Sequence, residues 1–401
     1  MQKIRLGVIY GGPSVEHEIA VISAVQAMAA IDRNKYEVIP IYITKQGLWY
    51  TGEALLEISH YSKLPELIKQ CTRVFITADR GAHYLTVPAK GMFHKAQKIA
   101  LDVMLPVMHG AHGEDGCLQG LLELLNIPYA GPGVLGAAVG MDKIMMKAVL
   151  QAAGIPVVAG VSFTANEWYE QQEEKITQIE TRLGYPVIVK PANLGSSVGI
   201  SRADDRNGLI TALDTAAGFT NRLLVEHCLV HKREINCSVI GGNGVAKASV
   251  CEEPITSNEF LTYQDKYMNG GKGAKGGAKG MSGSSRQIPA DLPEQISEEI
   301  RRLAKASFIA LDGHGVSRVD IMLDEDTEQI YVNEINTIPG SLSFYLWEAT
   351  GLGFTEMLDE LVDLALKRQR NKESLTFSYD TNILAGFAGG MKNGTKGGKL
   401  S

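Results

Sequence analysis

The chain has 401 residues, of which 45% are apolar, 21% charged and 7% aromatic, the composition of a globular protein long enough for two or three cores. Its formal net charge of −6 supplies no basic field, which excludes tight nucleic-acid binding as a primary role. Five cysteines (Cys71, Cys117, Cys228, Cys237, Cys251) are scattered, odd in number and without a C-x-x-C pair, a pattern of reduced thiols rather than of zinc or a disulfide framework. No stretch reaches the length of a membrane span and no apolar signal core follows the first residues, so a cytoplasmic protein without membrane contact is expected.

In chain order, IRLGVIY reads as a strand, Gly11-Gly12-Pro13 as a turn, and about 14–31 as a helix. YEVIPIYI (36–43) and ALDVMLPVM, ending at His109, are further strands, and the alternation predicts a parallel α/β sheet. A helical run covers 132–153. Strands follow at 185–192 and 221–230, and from about 231 the pattern turns strand-rich. The segment 269–285, NGGKGAKGGAKGMSGSS, interrupts it with seven glycines and three lysines (Lys272, Lys275, Lys279). Then come the helix DLPEQISEEIRRLAKASFIAL, a hairpin SRVDIMLDEDTEQIYVNEIN and the helix TEMLDELVDLALKRQR. These signals divide the chain into 1–140, 141–230, 231–370 and a flexible glycine- and lysine-rich tail, 371–401.

The hairpin is the most informative segment. Its polar turn centres on residue 327, a register that sets Asp320 opposite Glu334 and puts Asn336 on the same face as Glu334. Opposed like charges destabilise a sheet, so something positive should lie between them, and oxygen ligands of this kind suit Mg²⁺. Spacing alone leaves a solvated polar face equally open. Lys190 in VIVKPANLGSSVGIS puts a cation beside a Gly-Ser loop whose backbone N–H groups can nest phosphate, although most such loops are only turns. The segment 269–285 reads either as a surface insertion or as a cationic lid over phosphates. GGPSVEHE at the first strand-to-helix turn lacks G-x-G-x-x-G, which disfavours a dinucleotide-binding dehydrogenase. Glu16 there, in the first helical turn, is either a helix-dipole partner or a carboxylate for a substrate ammonium. His109 and His112 lie in HGAHGEDG after a strand, where open α/β sheets place ligands, and metal binding there lacks further ligands.

The order of these segments carries more than any one of them. GGPSVEHE, HGAHGEDGCLQGLLELLNIPYAGPG, GMDK, VIVKPANLGSSVG, VEHCLVHKREI, DKY, IPADL, SRVDIML and NEINTIPG together resemble the D-alanine–D-alanine ligases of the ATP-grasp superfamily, over roughly residues 3–370. The resemblance implies an α/β and α+β chain of three-domain ATP-grasp architecture with an N-terminal parallel α/β domain. It implies ATP-dependent joining of two D-alanines through an acyl phosphate, for peptidoglycan precursor synthesis, with two Mg²⁺ ions (Mn²⁺ as a substitute) and a homodimeric assembly. Carried over by position, Lys143 and Lys190 would meet ATP phosphates, and Ser196 and Ser197 would lie in the phosphate loop. Glu226, His227 and the residues through Leu229 would line the adenine slot, Glu234 would hold the ribose, and Lys266 would reach the γ-phosphate. Asp320, Glu334 and Asn336 would bind the metal ions. Glu16 would bind the first ammonium with Ser196 and Tyr267 grouped around it, and Arg318 with the N–H of Gly340 would stabilise the oxyanion.

Three departures accompany this. The family follows N-T-x-P-G with a stretch close to M/F-T-x-x-S-L, whose serine helps hold the second amino acid's carboxylate; here the chain reads Gly340-Ser341-Leu342-Ser343-Phe344-Tyr345-Leu346, leaving Ser341 or Ser343 as substitutes. The segment after Tyr267 is longer and richer in glycine and lysine than usual, and Glu226 to Glu234 is one residue longer. A ligase of the same mechanism with D-serine, D-lactate or another amino acid as second substrate is the main alternative. Lys266-Tyr267 favours dipeptide over ester formation. A non-catalytic ATP-binding protein on the same fold is disfavoured by the full set of charged residues.

Overall fold

The computed structural model describes residues 2–77, 79–89, 95–195, 198–255 and 286–376. Ile4–Gly11 pairs in parallel with Tyr36–Ile43 on one side and Val103–Val107 on the other, and the short strands Trp49–Thr51 and Thr72–Arg73 extend the sheet antiparallel at one edge. The expected parallel α/β sheet is therefore present. Its central strand is buried on both faces, which is why the sequence reads as a near-continuous apolar run. A small antiparallel sheet, Phe75–Ile76, Tyr84–Val87 and Gln97–Ala100, lies between the edge strands and Val103–Val107 in sequence.

Two antiparallel sheets follow. The first runs in the order Ser201–Ala203, Val187–Pro191, Arg222–His227, Gly160–Thr164. The second runs Arg286–Gln287, Val245–Pro254, Lys232–Gly242, Gly315–Asp324, Ile330–Asn336. Along Gly315–Asp324, alternation sends Val319, Ile321 and Leu323 into a cluster with Leu303 and Phe308 of the helix Glu294–Ala310. Arg318 and Asp320 consequently point to the opposite face. At its far end that face meets the N-terminal sheet, where Ile240, Val316, Ile338 and Leu342 share a cluster with Leu6, Val8 and Leu105. The helix Phe354–Glu373 packs in the same cluster through Met357, Leu358 and Leu361, so the chain closes back on its beginning.

The helical run expected over 132–153 is two helices, Val134–Met141 and Lys143–Ala152. Asp142 separates them because its Oδ1 accepts the free N–H groups of Ile144 and Met145, both at 3.0 Å, an N-cap that starts a second helix. Met146 and Leu150 of that second helix belong to the cluster beneath the five-stranded antiparallel sheet. The first helix likewise begins later than the pattern suggests, at His17, because Gly12, Ser14 and Glu16 are used in a turn held by Ser14 N–H to Gly12 O at 3.0 Å.

Candidate active site

The hairpin register is the one expected: Asp320 pairs with Glu334 and Arg318 with Asn336. The row continues across the sheet, since Asn236 lies opposite Asp320 and Glu252 opposite Asn236. The symmetry about residue 327 then breaks, because Ile321 pairs with Val332 and leaves Asn333 as the extra residue of a bulge. The bulge re-aims Asn333, whose Oδ1 accepts from Lys190 Nζ at 3.1 Å, and sequence spacing gave no sign of it.

The positive charge expected between the carboxylates is divided between two partners. Arg318 holds Asp320 with two hydrogen bonds, Nε to Oδ1 at 2.6 Å and Nη2 to Oδ2 at 2.7 Å, and Asn336 Nδ2 donates to Oδ2 at 3.0 Å. Lys143 Nζ lies 3.3 Å from Glu334 Oε2 and donates to Leu194 O at 3.0 Å. Burial works against the Arg318 charge, but Asp320 outweighs it and keeps the guanidinium firmly protonated. The donor set of two carboxylates and one amide oxygen fits Mg²⁺.

Behind this row lies a buried cluster of alternating charge. Lys190 Nζ and Lys147 Nζ flank the Glu226 carboxylate at 2.6 and 2.5 Å. Burial pushes the Glu226 carboxyl up, yet the two lysines outweigh it and bring it down to about 2. Glu226 is thus turned into the interior and only 2% exposed, while His227 beside it is exposed and Leu229 half-buried. Nothing in the sequence marked Lys147; it becomes legible only once a helix turn puts it four residues beyond Lys143 on the same side. Glu234 is half-buried on Lys232–Gly242 and pairs with Lys232 at 3.1 Å.

Glu16 stands at the other end of the site as the residue before the first helix, rather than inside its first turn. Its carboxylate is enclosed by two glycine loops: a Cβ on Gly110 would come within 2.8 Å of Glu16 Oε2, and one on Gly195 within 3.0 Å. The backbone supporting it needs glycine too. Gly11 has φ +90°, and a Cβ there would sit 2.3 Å from Ile43 O. His109 is buried and bridges Ile338 O at 2.8 Å and Ser23 Oγ at 2.9 Å, a structural tie rather than a ligand. Glu114 is half-buried, accepting from Gly110 N at 2.8 Å and Ile338 N at 2.9 Å. Burial, with Glu16 nearby, pushes its carboxyl up to about 8. His112 is exposed, and its ring lies near Asp115 and Cys117.

The stretch after Gly340 differs most from expectation. Ser341, Leu342 and Ser343 all have φ +51°, three successive left-handed residues. Ser341 is spent on the first helix: its N–H donates to Ser23 Oγ and its hydroxyl to Gln26 Oε1, both at 2.8 Å. Ser343 is 0% exposed, and its hydroxyl has no partner among the described residues. Phe344 stacks on Phe354 at 4.4 Å, and the buried Tyr345 donates to Glu252 Oε1 at 3.0 Å with Arg286 over its ring at 4.2 Å. The aromatics of this stretch therefore pack inward. Ser196, Ser197, Lys266, Tyr267, the segment 269–285 and the end of the tail from 377 lie outside the described residues.

Two family models match the chain, the D-ala D-ala ligase N-terminus over residues 5–132 and the D-ala D-ala ligase C-terminus over residues 149–363. The chain belongs to the D-alanine–D-alanine ligase family. Similar proteins include the D-alanine–D-alanine ligases of Natranaerobius thermophilus (42% identity, 93% of this chain and 98% of the relative) and Bacillus cytotoxicus (38%, 94% and 100%). Among solved structures, the chain resembles the D-alanine–D-alanine ligase of Coxiella burnetii (TM-score 0.77, 30% identity, 93% of this chain and 97% of that one). It also resembles the VanG D-Ala:D-Ser ligase of Enterococcus faecalis (TM-score 0.76, 31% identity, 91% and 100%). The fold is the three-domain ATP-grasp architecture of this family. No helix among the described residues is long and apolar enough to cross a membrane.

Proposed function

We propose that the protein joins two D-alanines to D-alanyl-D-alanine at the expense of ATP, as a peptidoglycan precursor. The observation that carries this reading is the opposed pair Asp320 and Glu334, each already matched to a cation, on a hairpin that Lys190 of the neighbouring sheet meets through Asn333. Asp320, Glu334 and Asn336 would hold Mg²⁺, two ions in this reading, and the bound cation would neutralise charge on the transferring phosphoryl group.

In the first step a carboxylate oxygen of the first D-alanine attacks the γ-phosphorus, and the bond to ADP breaks. Lys143 and Lys190 bind the phosphates, with Lys266 reaching the γ-phosphate. Glu16 holds the first substrate's ammonium, grouped with Ser196 and Tyr267. In the second step the amine of the other D-alanine attacks the acyl carbon, loses a proton and expels phosphate. Arg318 and the Gly340 N–H would stabilise the oxyanion formed there, a role typically worth about 3 kcal/mol per donor. The strand end from Glu226 through His227 to Leu229 would border the adenine by its backbone, the Glu226 carboxylate being turned to the lysines, with Glu234 at the ribose and Ser341 or Ser343 at the second carboxylate; of the two hydroxyls, only that of Ser343 lacks a protein partner among the described residues.

Phosphate release from ATP with single amino acids and with pairs, with the product identified by mass spectrometry, tests the reading. D-Alanine alone should give ADP, phosphate and the dipeptide in equal amounts. Ligation of D-alanine only to D-serine or to a hydroxy acid would replace the second substrate and leave the mechanism. ATP turnover indifferent to amino acids would sink the ligase reading.

A further inference from the structure

The cluster behind the carboxylate row contains one group with no task in the reaction above. Lys147 is 6% exposed, and Glu226 is the only carboxylate within ion-pair distance of it among the described residues. A buried ammonium is costly unless it is paired, and this one is held by the oxygen of Glu226 that Lys190 does not touch. Lys190 has a second partner in Asn333 Oδ1, and Lys143 has Glu334. Among the described residues, these three buried ammonium groups pair with two carboxylates, Glu226 and Glu334.

Resting on the ATP reading, a consequence follows for Lys190. To meet phosphate oxygens it must share itself between them and Glu226. With Lys190 as the sole cation, Glu226 would be left half-paired in a buried site whenever nucleotide bound, beside the incoming negative charge. We propose that Lys147 is a positioning residue for nucleotide binding: it is the standing counter-ion of Glu226, and it frees Lys190 to turn from that carboxylate to the phosphates. It touches neither substrate nor metal and acts through Glu226. Burial lowers the proton affinity of Lys147 and Glu226 offsets part of that, whereas Lys190 is raised by the same carboxylate despite its burial.

The test is calorimetric titration of the full chain with Mg²⁺ and the non-hydrolysable β,γ-imido analogue of ATP. Lys147→Met should weaken nucleotide at least about tenfold and leave the KM for D-alanine within about twofold, and Lys147→Arg should stay within about threefold of the wild type. The double variant Lys147→Met/Glu226→Gln removes the charge that needs a counter-ion, so it should bind more tightly than Lys147→Met alone. A purely packing role for Lys147 would make the second change neutral or additive. Unchanged affinity in Lys147→Met, or a double variant weaker than the single one, overturns the proposal. Should Lys147→Met fail to fold by circular dichroism, the double variant is compared with Lys147→Arg, and a gap above about a hundredfold overturns it. A wild-type protein that turns over ATP while these variants behave alike would refute this inference alone; one that binds no nucleotide would refute the ligase reading with it.

Discussion

At the residue scale, the two carboxylates proposed to hold metal, Asp320 and Glu334, are not equivalent. Like-charge repulsion alone predicts that removing either one leaves stability untouched or improved. The bidentate hold of Arg318 on Asp320 reverses this for Asp320, because Asp320→Ala strands a buried guanidinium. Asp320→Ala should lower unfolding free energy by about 3–5 kcal/mol, whereas Glu334→Ala should cost far less, since Lys143 keeps Leu194 O. Both should abolish ATP turnover; equal melting temperatures, or near-normal turnover at saturating Mg²⁺, would contradict the assignment. Glu114 gives a pH signature. Its carboxyl is pushed from 4.5 to about 8, so across that window the folded protein keeps a proton that the unfolded chain has released. Stability therefore falls as pH rises from 4.5 through 8, by up to about 1.4 kcal/mol per pH unit. Glu114→Gln lacks this slope. Melting curves should show the variant gaining on the wild type between about pH 5 and pH 8; parallel curves would refute the protonated carboxyl.

At the element scale, the left-handed run Ser341-Leu342-Ser343 carries strain between the strand Ile330–Asn336 and the helix Phe344–Ala349. It is held there by Ser341 on the first helix, by Leu342 in the central core, and by Trp347, whose indole N–H donates to Ser238 Oγ at 2.8 Å. Ser343 adds a buried hydroxyl without a partner among the described residues. Ser343→Gly relieves both costs, at the loss of some unfolded-state restriction, so a net gain of about 1 kcal/mol is expected in chemical denaturation. A loss of stability would mean that the hydroxyl is satisfied in solution. Strand existence, the hairpin turn and the position of the bulge's neighbours were legible from alternation and turn residues. The bulge itself was not, because it depends on Lys190 arriving from another sheet to meet Asn333.

At the scale of the whole molecule, the proposed site draws on parts far apart in sequence: Glu16, Lys143 to Lys190, Glu226, and the hairpin carrying Asp320 and Glu334. A ligand spanning them ties two sheets together. Mg²⁺ with ATP should raise the melting temperature, by the equivalent of about 2.7 kcal/mol when nucleotide stands at a hundred times its dissociation constant. The shift should shrink in Lys190→Met; no shift in the wild type would argue against nucleotide binding.

The sequence by itself determined the family, the parallel first sheet, the opposed carboxylates of the hairpin and the glycine turn beneath Glu16, because each depends on spacing or on backbone conformations that few residues adopt. Only the tertiary structure decided how those carboxylates are neutralised, that Glu226 faces two lysines, that Tyr345 and Phe344 pack inward, and that Glu114 sits where its carboxyl keeps a proton. Those outcomes depend on which charges meet in a space without water. Pair energies there are set by distance and burial, and neither is written in the order of residues along one strand.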